Sequence, residues 1–212
     1  MIHELRTYTI HPGKLATYVE LSGSVGRPIR GDRFGKLVGY WSTEFGPLNQ
    51  VVHVWEYADF AARTQARAGL ARDERWTTEY IPKSQPLMQS QENMILAPVD
   101  WYPLRPTSGM GVYELRVYRL YPGKVPEWLR HFREGLTVRE KYSAPVAVWS
   151  SEIGPLNTVA HLWGYRDANH RAEARKASAA DPGWKATLGK LGPLMQAMES
   201  KLMIPTDFSP LK

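Results

Sequence analysis

Residues 50–57 read Gln-Val-Val-His-Val-Trp-Glu-Tyr, and residues 158–165 read Thr-Val-Ala-His-Leu-Trp-Gly-Tyr. Val51, His53, Trp55 and Tyr57 recur as Val159, His161, Trp163 and Tyr165, while the residues between them change in every case. Successive side chains of a strand point to opposite faces. The identical residues therefore share one face of a strand in each copy, and the substituted ones share the other.

The similarity spreads outward. Residues 39–59 match 147–167 at twelve of twenty-one positions, including Gly-Pro-Leu-Asn at 46–49 and 154–157. Upstream, residues 4–14 match 114–124 at seven of eleven, and Pro-Leu-Met-Gln recurs at 86–89 and 193–196. The offset drifts from 110 through 108 to 107, as small loop deletions produce. Such self-similarity marks a tandem duplication of one module. The expected organisation is a module over 1–98, a proline-bearing linker over 99–111 and a second module over 112–212.

Each copy has the same order of elements. Residues 2–10 alternate and run into Pro12-Gly13, a strand followed by a turn. A helix is expected over 14–25, and its counterpart from about Lys124 towards Tyr142 with Pro126 in the first turn. Strands over 36–44 and 50–57 meet at Gly46-Pro47-Leu48-Asn49, which is turn chemistry. Asp59 and Asp167 read as N-caps of helices over 60–72 and 168–180. A further helix over 76–89 and a strand over 92–96 complete the first copy, with 184–197 and 200–204 in the second.

The order β-α-β-β-α-β is the ferredoxin-like motif. The expected class is α+β: two tandem ferredoxin-like modules packing sheet-to-sheet into a dimeric α/β-barrel-like arrangement, which would cover the bare face of each sheet. Two separated modules, each pairing with another chain, are the alternative.

The first strand repeats its chemistry too. Glu4, Arg6 and Tyr8 match Glu114, Arg116 and Tyr118. Small aliphatic residues such as Leu5, Val52, Val54, Val117 and Leu162 suit packing under helices. The expectation is therefore that the charged and aromatic face looks into an interior shared by both sheets. There His53 and His161 are candidate proton-transfer groups, and Arg6 and Arg116 candidate partners of an anion or carbonyl. Glu4, Tyr8, Trp55, Tyr57, Glu114, Tyr118, Trp163 and Tyr165 complete the candidate substrate contacts. Structural ion pairs (Glu4–Arg6, Glu114–Arg116) and hydrogen-bonded core histidines are the competing readings of the same residues. His3, His11, His131 and His170 have no counterpart in the other copy and read as surface or loop residues. No histidine has diagnostic metal-site spacing, so no metal is expected.

Composition narrows the classes. The 212 residues contain no Cys, which excludes disulfides, thiolate metal sites and a Cys nucleophile. A net charge of +6 is spread without clustering, so no nucleic-acid partner is expected. No apolar run approaches membrane-spanning length and no signal peptide is legible, so the expected compartment is cytoplasmic, with no membrane partner. Phosphate loops, dinucleotide fingerprints and nucleophile elbows are absent.

Tyr113-Glu-Leu-Arg-x-Tyr-x-x-x-Pro-Gly-Lys124, followed by Trp149-x-x-Glu-x-Gly-Pro-Leu-Asn-x-x-x-His-x-Trp-x-Tyr165, resembles the NIPSNAP family. The first copy departs from it at the opening Tyr, where His3 stands. The resemblance implies the dimeric α/β-barrel superfamily, whose members include small-molecule monooxygenases, isomerases, aldoxime dehydratases and haem peroxidases. NIPSNAP proteins have no settled catalytic function, and no agreed residue set carries over. Animal members are associated with mitochondria, vesicle traffic and mitophagy. This chain starts at its first strand, so that compartment is not carried over.

Three functions follow as expectations. The first is a cofactor-independent enzyme acting on a small carbonyl-containing or aromatic metabolite, by acid–base chemistry or oxygen addition. The second is a non-catalytic binding or scaffold protein. The third, weaker, is haem binding through His53 or His161. No cofactor is otherwise implied; a small-molecule ligand is the expected partner, and a homodimer is left open.

Overall fold

Each half of the duplication folds as β-α-β-β-α-β in the computed structural model, which describes residues 1–212. In the first half, β1 (Ile2–Ile10), β2 (Lys36–Phe45), β3 (Gln50–Tyr57) and β4 (Met88–Pro98) accompany α1 (Leu15–Leu21), α2 (Arg27–Arg30), α3 (Phe60–Arg72) and α4 (Ile81–Ser84). The second half has β5 (Val112–Leu120), β6 (Pro145–Ile153), β7 (Thr158–Tyr165) and β8 (Met195–Pro205) with α5 (Val125–Arg139), α6 (Ala168–Ala180) and α7 (Pro182–Leu191). The chain divides into two compact units, Met1–Leu96 with Ile204–Lys212, and Ala97–Met203. Residues 204–212, which the repeat assigns to the second module, thus fold with the first unit. No helix is long and apolar enough to cross a membrane.

Both sheets are antiparallel, with the first and third strands as central neighbours. β1 pairs with β3 and β4, and β3 with β2; β5 pairs with β7 and β8, and β7 with β6. Registers agree between the copies. Arg6 lies opposite His53 and Glu4 opposite Trp55; Arg116 lies opposite His161 and Glu114 opposite Trp163.

The local chemistry read from the sequence holds. Asp59 accepts the Ala62 N–H and Asp167 the His170 N–H, each capping its helix. Gly46 (φ 108°) and Asn49 (φ 55°) take the left-handed conformations of the hairpin, as do Gly154 and Asn157.

Two boundaries differ. The helix expected over 14–25 continues through a π-helical turn at Ser22–Gly26 into α2, so that the helical run reaches Arg30 with Pro28 inside it. The helices expected over 76–89 and 184–197 stop at Pro-Leu, and Met88 and Met195 already begin long strands. Gln89–Asn93 are exposed polar strand residues, and Gln196–Ser200 are exposed and mostly polar, with Ala197 and Met198 among them. They lack the apolar alternation by which a half-buried strand is read.

The tail, 204–212, is anchored in the first unit through the backbone of Tyr40. The Tyr40 carbonyl accepts the Thr206 N–H at 3.0 Å, and the Tyr40 N–H donates to Ser209 Oγ at 3.0 Å. Phe208 packs on the Tyr40 ring, with centroids 4.9 Å apart. Gly23 makes room for it, since a Cβ there would meet a Phe208 ring carbon at 2.7 Å.

Candidate functional site

The face bearing the repeated residues lies beneath the helices of its own unit. Tyr8 meets Tyr18 of α1, Arg30 of α2 stacks on Trp55, and Arg63 of α3 bonds Glu4. In the second unit Tyr118 meets Trp128 of α5, Arg139 covers Trp163, and Arg171 of α6 bonds Glu114. The expected pocket in a shared interior is therefore corrected: each set lines its own cavity between a sheet and its helices. Leu5, Val52, Val54 and Leu162 occupy the opposite, also buried, face. The reason is charge. A face carrying Glu, Arg and His needs hydrogen-bonding partners when buried, and arginines from the helices supply them, whereas small aliphatic side chains need none.

Glu4, fully buried, is the anchor of the first site. It accepts from Arg6 Nη1 at 2.8 Å, Arg63 Nη2 at 2.6 Å and Asn93 Nδ2 at 3.0 Å, with Arg67 4.0 Å away. Burial pushes its pKa up, but the hydrogen bond from Arg63 and the charge of Arg6 outweigh this and hold it at about 2. Glu114 repeats the arrangement with Arg116 at 2.6 Å, Arg171 at 2.7 Å, Ser200 at 2.8 Å and Arg175 at 3.7 Å. It too is held at about 2, against burial, chiefly by Arg171 and Arg116. Arg6 also donates from Nε to the Tyr8 hydroxyl, and Arg116 to that of Tyr118.

The histidines are fixed in one tautomer. Trp55 Nε1 donates to His53 Nδ1 at 2.6 Å, and Trp163 Nε1 to His161 Nδ1 at 2.5 Å. An indole N–H only donates, so Nδ1 is the acceptor and the ring proton sits on Nε2. Both Nε2 atoms are buried without a hydrogen-bond partner. Burial, with Arg6 and Arg30 nearby, pushes His53 well below the usual histidine range; burial and Arg116 bring His161 down to about 3. Neither imidazole has a free lone pair for a proton or for haem iron, so the residues do not fit an axial ligand or a general base. Nitrogen-15 NMR should find both rings neutral with Nε2 protonated at pH 6.5, where a free histidine is half protonated. A positive imidazole at that pH would refute this assignment.

Arg30 and Arg139 are the residues the repeat reading missed. Arg30 is 7% exposed and bonds only neutral groups, the Phe34 carbonyl and the Tyr57 hydroxyl at 2.8 Å, with its guanidinium 3.3 Å from the centre of the Trp55 ring. Arg139, 4% exposed, bonds Ser143 and Tyr165 and covers Trp163. Neither has a carboxylate partner. Their offset of 109 falls between the 110 and 108 blocks, and Arg63-Thr-Gln-Ala-Arg67 repeats as Arg171-Ala-Glu-Ala-Arg175. Extending the alignment into the helices would have found all six arginines.

The first cavity has a volume of 230 Å³, with Arg6, Tyr8, Arg30, His53 and Trp55 among its walls. Tyr18, Ser22, Tyr40 and Tyr80 add a run of hydroxyls: Ser22 Oγ is 3.0 Å from Tyr80 OH and 3.4 Å from Tyr40 OH, and Tyr80 OH is 3.5 Å from Tyr18 OH. Phe208 of the tail closes one side. The second cavity, 260 Å³, has Glu114, Arg116, Tyr118, Arg139, His161, Trp163 and Tyr165 in its lining. Glu4 and Tyr57 stand behind the first cavity, not on its wall. Of the histidines expected at the surface, His3 is buried, 3.4 Å from Glu56.

The sequence matches the family model described as NIPSNAP over residues 3–103 and 113–210. The chain belongs to the NIPSNAP family. Among its relatives, the protein NipSnap homolog 3A of Homo sapiens is 34% identical over 215 residues, covering 100% of this chain and 86% of that protein. Two solved structures share the fold across the chain. One, from Lactobacillus acidophilus NCFM, has a TM-score of 0.69 at 12% identity, covering 96% of this chain and 93% of its own. The other, an anthrone oxidase-like protein, has a TM-score of 0.70 at 11% identity, covering 100% and 94%. At such identities they show this NIPSNAP chain's fold and nothing of its chemistry.

Proposed function

We propose that the first unit of this NIPSNAP protein binds a small organic anion that also carries hydroxyl or carbonyl groups. The observation that carries the reading is Arg30, a buried guanidinium on the cavity wall with no carboxylate partner. Around it, Arg6, Arg63 and Arg67 converge on the single carboxylate of Glu4, which leaves the site with excess positive charge. Nη2 of Arg6 and Nη1 of Arg30 make no hydrogen bond within the protein and are free to take a carboxylate or enolate oxygen. The hydroxyls of Tyr18, Ser22, Tyr40 and Tyr80 supply matching donors and acceptors for the ligand's neutral oxygens.

The geometry favours binding over proton abstraction. Glu4 is locked as a carboxylate by its arginines, and both His53 nitrogens are unsuited to accept a proton. The same guanidinium groups would stabilise negative charge on a bound carbonyl.

Titration calorimetry with 4-hydroxybenzoate tests the reading. Saturable binding is expected, weakened at least tenfold by Arg30→Met, since a hydrogen bond to a charged group contributes about 1.5–3 kcal/mol. Ser22→Phe, which fills the cavity, should weaken it comparably. No saturable binding to the intact protein, or wild-type affinity in both variants, would overturn the proposal.

A further inference from the structure

The two cavities keep the same arginines but not the same walls. Aligned through the flanking repeats and the facing glycines Gly26 and Gly135, Tyr18 is replaced by Trp128, Ser22 by Phe132, Tyr40 by Val148 and Tyr80 by Thr187, whose hydroxyl donates to the Gly183 carbonyl. The hydroxyl run of the first unit thus has no counterpart in the second. Trp128 and Phe132 stack at 4.6 Å and both lie over His161, at 5.9 and 5.2 Å. Leu191 and Met195 extend the apolar lining. At the mouth, Leu188 and Met198 remain 42% and 52% exposed, large apolar side chains facing water.

The floor of this cavity is still cationic. Arg116, Arg139 and Arg175 line it with Glu114 as the only carboxylate, and Arg139 has none of its own. His161 Nε2 and Trp128 Nε1 are both buried N–H donors without a partner. Leaving such donors unpaired in the interior is costly.

We infer that the second unit holds a separate ligand site, for an organic anion whose body is aromatic and lacks polar substituents. Its carboxylate meets the arginines, and its ring lies among Trp128, Phe132, Trp184 and the mouth residues Leu188 and Met198. One chain then carries two non-equivalent sites with a common anion anchor. The hydroxyls of the first cavity suit polar-substituted ligands, whereas the ring and aliphatic walls of the second suit an apolar body.

The probe is 2-naphthoate, titrated calorimetrically against the full chain. Saturable binding is expected, weakened at least tenfold by Leu188→Trp or Met198→Trp, which obstruct the mouth at exposed positions. Ser22→Phe in the first unit should leave it unchanged. No saturable binding, binding indifferent to both mouth substitutions, or binding lost in Ser22→Phe would each overturn the inference. The 4-hydroxybenzoate isotherm is read separately, so the first site can fail without the second.

Discussion

Glu114→Leu is expected to destabilise the protein by about 3–5 kcal/mol, the range for breaking a buried ion pair by removing one partner. Arg116, Arg171 and Ser200 donate to this carboxylate, and Arg175 lies close by. With Leu in its place, the guanidinium groups of Arg116, Arg171 and Arg175 face one another with no carboxylate between them. Glu4→Leu should act in the same way on the first unit, where Arg6, Arg63 and Asn93 lose their acceptor. Glu114→Gln, which keeps an acceptor but not the charge, should fall between. Urea unfolding followed by tryptophan fluorescence measures the loss. A change under 1 kcal/mol for Glu114→Leu would mean the arginines find water or other partners, and the picture of one carboxylate holding a cation cluster would fail.

The second large effect is a loss of stability in mild acid. His53 and His161 have pKa values below the unfolded value of about 6.5, with His161 at about 3. Below pH 6.5 the unfolded chain therefore binds protons that the folded chain refuses. Stability is fully present above that pH and declines as pH falls, by up to about 1.4 kcal/mol per pH unit for each imidazole. The glutamates act in a lower window. Glu4 and Glu114, depressed from 4.5 to about 2, contribute stability above 4.5 that is lost as pH falls towards 2. Between pH 6.5 and 4.5 the histidines should dominate. Replacing both by Gln, which still offers the Trp N–H an acceptor, should flatten the decline. Equal slopes in wild type and double variant would show that these rings titrate normally.

Much of this architecture is legible in the sequence, for stated reasons. Repetition of His53-x-Trp55 as His161-x-Trp163, and of Glu4-x-Arg6 as Glu114-x-Arg116, gives the module, the shared face and the pairing of central strands. Asp59, Asp167 and the Gly-Pro-Leu-Asn turns act through local backbone chemistry, so they read correctly in isolation. Parity, however, says only which residues share a face and not where that face looks. The answer depends on Arg30, Arg63 and Arg67, which arrive from helices distant in sequence and turn a costly polar surface into a satisfied one. The strand from Met88 escaped for a different reason: its exposed polar residues bury too little to leave a periodic signature. Arg30 escaped because the sequence places the end of the first helix near Val25, whereas the π-helical turn at Ser22–Gly26 carries it on to Arg30.

The Tyr40 anchor bears on how the duplication can be taken apart. A recombinant fragment ending near residue 98 would contain β1 to β4, yet Phe208 would be missing from beside Tyr40, along with the Thr206 and Ser209 bonds to its backbone. Affinities measured on such a fragment would describe a chamber with one side removed. Dissecting the two halves therefore calls for inactivating substitutions in the intact polypeptide, or for supplying residues 204–212 by a grafted linker.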